Sequence, residues 1–220
     1  MPMTPPRAIL FDCDGVLADS EALAAQVVAD DLAGRGFPVT PELCQDVFLG
    51  RAVPDMVAVI EQRFGRVPDD WPAQIGRALT ERMAREVVPV PGALEALRRL
   101  AASGIPLACA SNSSRAELSA KLARLGVASL FQGRVFSFQD VDRPKPYPDI
   151  YAAAAAAAAC GAAPADCVVV EDSLPGIRAG RAAGCRVLAL VWETPEALLR
   201  AQGAEPFHHM DELAGLLGVA

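Results

Sequence analysis

The sequence predicts a doubly wound α/β core, Rossmann-like in its parallel sheet, interrupted by an all-helical insertion. Three observations carry this. Five short runs dense in Val, Ile, Leu and Phe lack polar alternation, the pattern of parallel strands buried on both faces. Helix-like segments separate the later runs, so strand and helix alternate. Between the first run and the second lies a long stretch that reads as helix throughout.

The first strand is "AILFD", Ala8 to Asp12. Four helical stretches follow: "SEALAAQVVADDLAGRG", "TPELCQDVFLG", "VPDMVAVIEQRFG" and "WPAQIGRALTERMAREVV". No strand is expected between Asp19 and Val90, so the core is discontinuous: residues 1–18 and 91–220 form it, and 19–90 form a helical cap. "GALEALRRLAASG" begins after Pro91 and stops at Gly104, a proline start and a glycine stop. The second strand is Ile105 to Ser111, followed by the helix "SRAELSAKLARLG" and the third strand, Arg134 to Ser137. "YAAAAAAAACGAA" reads as a surface helix with a narrow packed face, alanine being the best helix former. The fourth strand, Cys167 to Asp172, the helix "PGIRAGRAAG" and the fifth strand, Cys185 to Val191, complete the pattern.

At 220 residues and 52% hydrophobic content the chain can bury one sizeable core beside an insertion. Its net charge of −7, with no run of Lys or Arg, argues against nucleic acid or a membrane surface as partner. No segment approaches the ~20 apolar residues of a membrane span, and "MPMTPPR" is not followed by a signal-peptide core. A soluble, cytoplasmic protein is expected, monomeric because its own cap covers the site. Cys13, Cys44, Cys109, Cys160, Cys167 and Cys185 form no CxxC pair and read as buried reduced thiols. His208 and His209, the only histidines, read as a surface turn.

In open parallel sheets ligands bind at the carboxyl ends of the strands. The first strand delivers Asp12 and, just past it, Asp14; the second delivers Ser111 and Asn112. Lys145 follows the third in "RPKPYPD", and the fourth ends in Glu171 and Asp172. Carboxylates gathered this closely repel unless a cation sits among them. Oxygen ligands without His or Cys point to Mg²⁺. Lys145 and the Ser111 hydroxyl suit phosphate oxygens, and Gly15 lets the backbone turn and present N–H groups. Asp12 is then placed to attack phosphorus, giving an aspartyl phosphate, with Asp14 as the acid and base. Each signal alone has a plainer meaning: a turn-forming Asp, a Ser-Asn helix cap, a solvated Lys, a Glu-Asp pair capping the next helix. Their coincidence, in order, at different strand ends decides for a site.

These residues resemble the four motifs of the haloacid dehalogenase superfamily of phosphohydrolases: "FDCDGVLADSE", "ASNSS", "RPKPYPDIY" and "VVVEDSLPGIRAG". The resemblance covers nearly the whole chain, and the helical insertion is similar to the cap of the subgroup containing β-phosphoglucomutase and many small sugar-phosphate phosphatases. It implies Asp12 as nucleophile, Asp14 as acid/base, and Ser111, Lys145 and the Asn112 backbone around the phosphoryl group. It also implies Mg²⁺ on Asp12, the Asp14 carbonyl and Asp172, with Glu171 beside it or bonded through water, and Asp19 at the hinge into the cap. True dehalogenases and phosphonatases lack an acid at the position of Asp14. The mutase has a histidine where this chain has Ala24 and a lysine where it has Ser114, departures that favour a hydrolase.

Substrate choice is expected from the cap loop "FLGRAVPD", with Gly50 and Arg51, and from Ser113 beside the phosphate; the plainer meaning is a glycine-capped surface turn and a helix start, Ser114 or Ser113 capping. The leading expectation is a Mg²⁺-dependent phosphatase of a small phosphorylated metabolite, a sugar phosphate or sugar-acid phosphate. The alternatives are a β-phosphoglucomutase-type phosphomutase and a phosphate-binding or phospho-acceptor module. Receiver domains share the residue types, but place their acceptor Asp and acidic pair on other strands and lack the cap.

Overall fold

The computed structural model describes residues 5–158 and 163–219. In chain order its elements are β1 (Ala8–Phe11), β2 (Ala18–Asp19), α1 (Glu21–Gly34), α2 (Pro41–Phe48), α3 (Val53–Arg63), α4 (Trp71–Glu86) and β3 (Val88–Pro89). There follow α5 (Ala93–Ala102), β4 (Leu107–Ala110), α6 (Arg115–Arg124), β5 (Val135–Phe136), α7 (Asp149–Ala158) and β6 (Cys167–Glu171). The chain closes with α8 (Leu174–Ala182), β7 (Arg186–Leu190), α9 (Glu196–Ala201), β8 (Glu205–Phe207) and α10 (Leu213–Leu216).

Six strands form one parallel sheet in the order β5-β4-β1-β6-β7-β8. The chain builds outward from β1 through β4 to β5, then returns to β1's other side for β6, β7 and β8. That reversal makes the carboxyl end of β1 the switch point, where a crevice must open. Side chains alternate between two cores. Ile9, Phe11, Cys109 and Val170 face the side holding Leu97 and Leu100 of α5 and Leu118 and Leu122 of α6. Ala8, Leu10, Ala108 and Val169 face the side holding Ile150 and Tyr151 of α7 and Ile177 of α8. Burial on both faces explains why the strands carry no polar alternation.

The alanine-rich helix α7 packs with Ile150, Tyr151, Ala154, Ala155 and Ala158 inward and Ala152, Ala156 and Ala157 outward. The rest of that run, with Cys160, lies outside the described residues. The other five cysteines are buried and free. His208 and His209 are exposed in a turn whose two backbone N–H groups donate to the Glu212 carboxylate. No helix among the described residues is long and apolar enough to cross a membrane.

Two expectations need correction. Residues 19–90 are not free of strand: β2 and β3 pair antiparallel, Asp19 opposite Val88, where the chain leaves and re-enters the sheet domain. A two-residue strand is too short to show a period of two. The sheet also has a sixth strand, β8, whose sequence "EPF" carries a proline. Proline has no N–H for a ladder, so it is tolerated here because β8 lies at the sheet edge.

Between β2 and β3 lie four helices, α1 to α4, whose buried residues Val28, Leu32, Ile60, Trp71, Ile75 and Met83 join the same apolar cluster as Ile9, Phe11 and Leu97. Trp71 is fully buried, and its indole N–H donates to Asp31 at 2.7 Å. Arg35 grips the same carboxylate at 2.7 and 3.0 Å. Burial raises the Asp31 carboxyl, but the hydrogen bonds from Arg35 and Trp71 outweigh it and hold it below the usual range. Trp71→Phe keeps the ring and removes the donor; it is expected to cost about 1 kcal/mol, read as a lower urea midpoint at unchanged m-value. Trp71→Ala should cost about 3–5 kcal/mol.

Candidate active site

Asp12 stands one residue past β1, its N–H still in the ladder with Val170. It is 6% exposed, so its charge has almost no water. Its Oδ1 accepts the Cys13 N–H at 2.7 Å and lies 2.9 Å from Lys145 Nζ. Burial and the neighbouring Glu171 charge push the Asp12 carboxyl well above the carboxylate range, and Lys145 opposes them.

Glu171 is fully buried and both its oxygens are engaged by the protein. Oε1 accepts Lys145 Nζ at 2.7 Å and the Tyr151 hydroxyl at 2.8 Å. Oε2 accepts the N–H groups of Asp172 and Ser173 and the Ser173 hydroxyl, at 2.9, 3.0 and 2.9 Å. Burial raises Glu171, but Lys145 and these donors hold it below the usual range. The carboxylate lies so close to the first turn of α8 that a Cβ on Gly176 would sit 1.6 Å from Oε1. Lys145 is therefore fixed between two carboxylates, with its ammonium 4.8 Å above the Tyr151 ring. Burial works against its charge, and Asp12 and Glu171 more than restore it.

Asp172 is placed differently. It is 1% exposed, yet its Oδ2 has no hydrogen-bond partner among the described residues. The turn after β1 closes on it: Gly15, at φ +69°, approaches so closely that a Cβ there would lie 2.0 Å from that oxygen. Asp12, Glu171 and Asp172 each bring an oxygen within 4.8 Å of the others. Burial, Glu171 and Asp12 push the Asp172 carboxyl well above its ordinary value. An orphaned buried oxygen in an all-oxygen acidic cluster fits a hard divalent cation.

Asp14 has four side-chain donors. Ser20 and Lys121 reach Oδ1; Ser111 and Ser113 reach Oδ2 at 2.8 and 2.9 Å. Burial raises its carboxyl, but Lys121 and the hydroxyls overcome this and bring it down to about 2. The Lys121 ammonium also contacts the Ser113 oxygen at 2.8 Å and Glu117 at 2.5 Å.

The expected site residues thus meet at one edge of the sheet. Ser111 donates to Asp14 and accepts the Ser113 N–H at 3.0 Å. Asn112 works through its side chain: it accepts the Lys145 N–H at 3.0 Å and donates to the carbonyls of Lys145 and Gly50 at 3.1 and 3.0 Å. Gly50, at φ +70°, sits against Ser173, so the loop between α2 and α3 rests on the strand ends. Arg51 is exposed, with Nε donating to the Val47 carbonyl at 3.0 Å. Ser114, rather than Ser113, caps α6 by accepting the Glu117 N–H at 3.2 Å. A cavity lies above this floor, walled by Ala24, Val28, Phe48 and Met56 from the helices and by Glu21, Glu117 and Lys121 beside Asp14.

Ser20, Glu21, Glu117, Lys121 and Tyr151 were not among the expected site residues. Lys121 had a readable signal. Leu118, Lys121, Leu122 and Leu125 are spaced i, i+3, i+4, i+7, so this lysine occupies the apolar stripe of α6, with Glu117 one turn before it. A charge on a packing stripe needs a buried partner, and Asp14 is that partner.

Glu21 makes stability depend on pH. Its carboxyl keeps some surface open to the cavity but is enclosed by protein; burial, then Asp14, push it up to about 8. Between its ordinary 4.5 and about 8 the unfolded chain releases the proton and the folded chain keeps it, so stability falls as pH rises through that window. Glu21→Gln removes the effect. With chelator present, denaturant unfolding should show the variant more stable than the parent at pH 8 and the gap closing toward pH 4, below which the parent binds the proton in both states.

A family model for haloacid dehalogenase-like hydrolases matches residues 6–184. Hexitol phosphatase A of Escherichia coli (strain K12) is 32% identical over 187 residues, 84% of this chain and 82% of its own. The crystal structure of a HAD family hydrolase from Deinococcus radiodurans R1, with bound phosphate and sodium, is 34% identical at a TM-score of 0.76, covering 97% of this chain and 96% of its own. CbbY from Rhodobacter sphaeroides in complex with phosphate is 28% identical at 0.80, covering 97% and 99%. Two longer curated relatives from Arabidopsis thaliana are matched over only 19% and 48% of their lengths. With its motifs converging at the carboxyl edge of one parallel sheet, the chain belongs to the haloacid dehalogenase-like hydrolases.

Proposed function

We propose that this protein is a Mg²⁺-dependent phosphatase that hydrolyses a small phosphorylated metabolite, a sugar phosphate or sugar-acid phosphate, through an aspartyl phosphate. The observation that carries the reading is the pairing of a nearly waterless Asp12 with the Lys145 ammonium at 2.9 Å, beside the orphaned oxygen of Asp172. Residues 19–90 act in this reading as a cap domain over a core of 1–18 and 91–220, with the β2–β3 ribbon as its hinge.

An Asp12 oxygen attacks phosphorus, the bond from phosphorus to the ester oxygen breaks, and that oxygen takes the proton that Asp14 carries in this step, leaving Asp14 ionised. Water then attacks the aspartyl phosphate and gives its proton to Asp14; the P–O bond to Asp12 breaks, freeing phosphate and restoring the carboxylate. Lys145 balances the charge of the phosphoryl oxygens and of Asp12 throughout. The Lys121 ion pair stabilises ionised Asp14, the form from which the second step starts. Asp12, Asp172 and the Asp14 carbonyl would hold Mg²⁺, which when bound supplies the charge that lets a carboxylate and a phosphate approach. Glu171, its oxygens occupied by protein donors, positions Lys145. Relatives named as phosphatases support the reaction class. Ala24 at the cavity wall and Ser114 as a helix cap favour hydrolysis over the mutase reaction.

Phosphate release from a panel of phosphorylated sugars, sugar acids, polyols and nucleotides tests the proposal. Release that needs Mg²⁺, stops with chelator and is lost in Asp12→Ala is expected; no release from any ester would overturn it. The metal assignment has its own check in calorimetry. Asp172→Ala should bind Mg²⁺ more weakly, whereas Asp14→Asn should keep its affinity while losing turnover, because the carbonyl and not the carboxylate is the ligand. Unchanged affinity in Asp172→Ala would remove Asp172 from the metal site.

A further inference from the structure

Resting on the phosphatase reading, we infer that the cavity selects esters whose carbons next to the ester oxygen carry neutral hydroxyls, and turns away esters with a carboxylate there. Asp14 is the group that meets the leaving oxygen, so its surroundings are what the neighbouring carbons of the leaving group touch. Those surroundings are acidic. Glu117 and Glu21 line the cavity beside Asp14. Lys121, the cation at this position, is 2% exposed at its side chain and is held by Asp14 and Glu117 together. Lys145 is held in the same way by Asp12 and Glu171. Lys121 cannot turn to a substrate carboxylate without losing a partner inside the protein, and the N–H that Lys145 has left serves the phosphoryl group.

A resident carboxyl already stands in this field. Glu21 faces Asp14, Glu117 and, from the loop after β7, Glu193; even with Lys121 opposing them its carboxyl rises to about 8. An incoming carboxylate would meet the same burial and the same field, whereas hydroxyls can donate to these oxygens. Arg51, on the loop between α2 and α3, also lines the cavity and is exposed. An acidic group placed away from the ester oxygen can meet this cation, so selection acts on where the acid sits and leaves long sugar acids acceptable.

A matched pair of esters reads this directly: 2-hydroxyethyl phosphate and 2-phosphoglycolate, which differ by CH₂OH against a carboxylate, with p-nitrophenyl phosphate as a third substrate. The expected kcat/KM is at least about tenfold higher for the hydroxyethyl ester, a difference of about 1.4 kcal/mol in transition-state binding. Glu117→Gln, which leaves Lys121 with one counter-charge fewer, should lower that ratio severalfold. Ala24→Lys, a cavity-wall change outside the buried ion pairs, should lower it as well. A ratio near one, or a preference for phosphoglycolate, would overturn the inference and leave the phosphatase standing. Hydrolysis of p-nitrophenyl phosphate but of neither ester would do the same. A ratio unmoved in both variants would show that these charges do not set it. Failure with all three substrates would overturn the inference, and failure with the panel of sugar, sugar-acid, polyol and nucleotide esters as well would overturn the phosphatase reading with it.

Discussion

Everything at this site depends on how four carboxylates can share one dry edge of a sheet. Asp12, Asp14, Glu171 and Asp172 are all at or within three residues of strand ends, and burial alone would drive each toward its neutral form. The protein divides them. Lys145 serves Asp12 and Glu171; Lys121 serves Asp14 and, one turn away, Glu117. Among the described residues, no cationic side chain pairs with Asp172. Two carboxylates end below their ordinary range and two above it, and the pair above it is Asp12 and Asp172. The two high carboxyls mark where positive charge is still wanted; the two low ones mark where the protein has already supplied it.

That division was half legible in the sequence. Asp12, Asp14, Lys145, Glu171 and Asp172 could be placed because strand ends in a parallel sheet share one edge, so five residues far apart in the chain fall together once the strands are recognised. Ser111 and Asn112 could be placed for the same reason, but not their tasks: Ser111 hydrogen-bonds Asp14, and Asn112 aligns the Lys145 loop. Lys121 and Glu117 come from a helix side, where the position of a residue depends on which stripe packs and not on where an element ends. Glu21 was invisible as a site residue because its setting is made by three other segments, those of Asp14, Glu117 and Glu193. The ribbon β2–β3 and strand β8 escaped for a simpler reason: two or three residues, one of them proline, leave no period to detect.

The two glycines at the site illustrate how space can be as specific as charge. Gly15 serves by its backbone angle and by its missing Cβ at once, because the turn it makes closes on the Asp172 carboxylate. Gly176 is ordinary helix in its backbone; there only the missing side chain matters, since Glu171 occupies the volume a methyl group would need. Composition and turn chemistry announce the first kind. The second becomes visible only when the strand before the helix is known to end in an acid that folds back on it.

The central place of β1 has a consequence for how the chain comes into being. It precedes the other described strands, yet its partners in the sheet are β4 and β6, with Ile9 opposite Leu107 on one side and Val168 on the other. Closing contacts so distant in sequence is the slow part of assembling a sheet. A fully apolar segment must therefore wait until β6 is made before its second neighbour exists. The helices α1, α2 and α4 can meanwhile pack on one another, although α4 still awaits α6. A nascent chain of this protein would carry partly packed helices and an unpaired strand side by side, and it is the strand that chaperones would find.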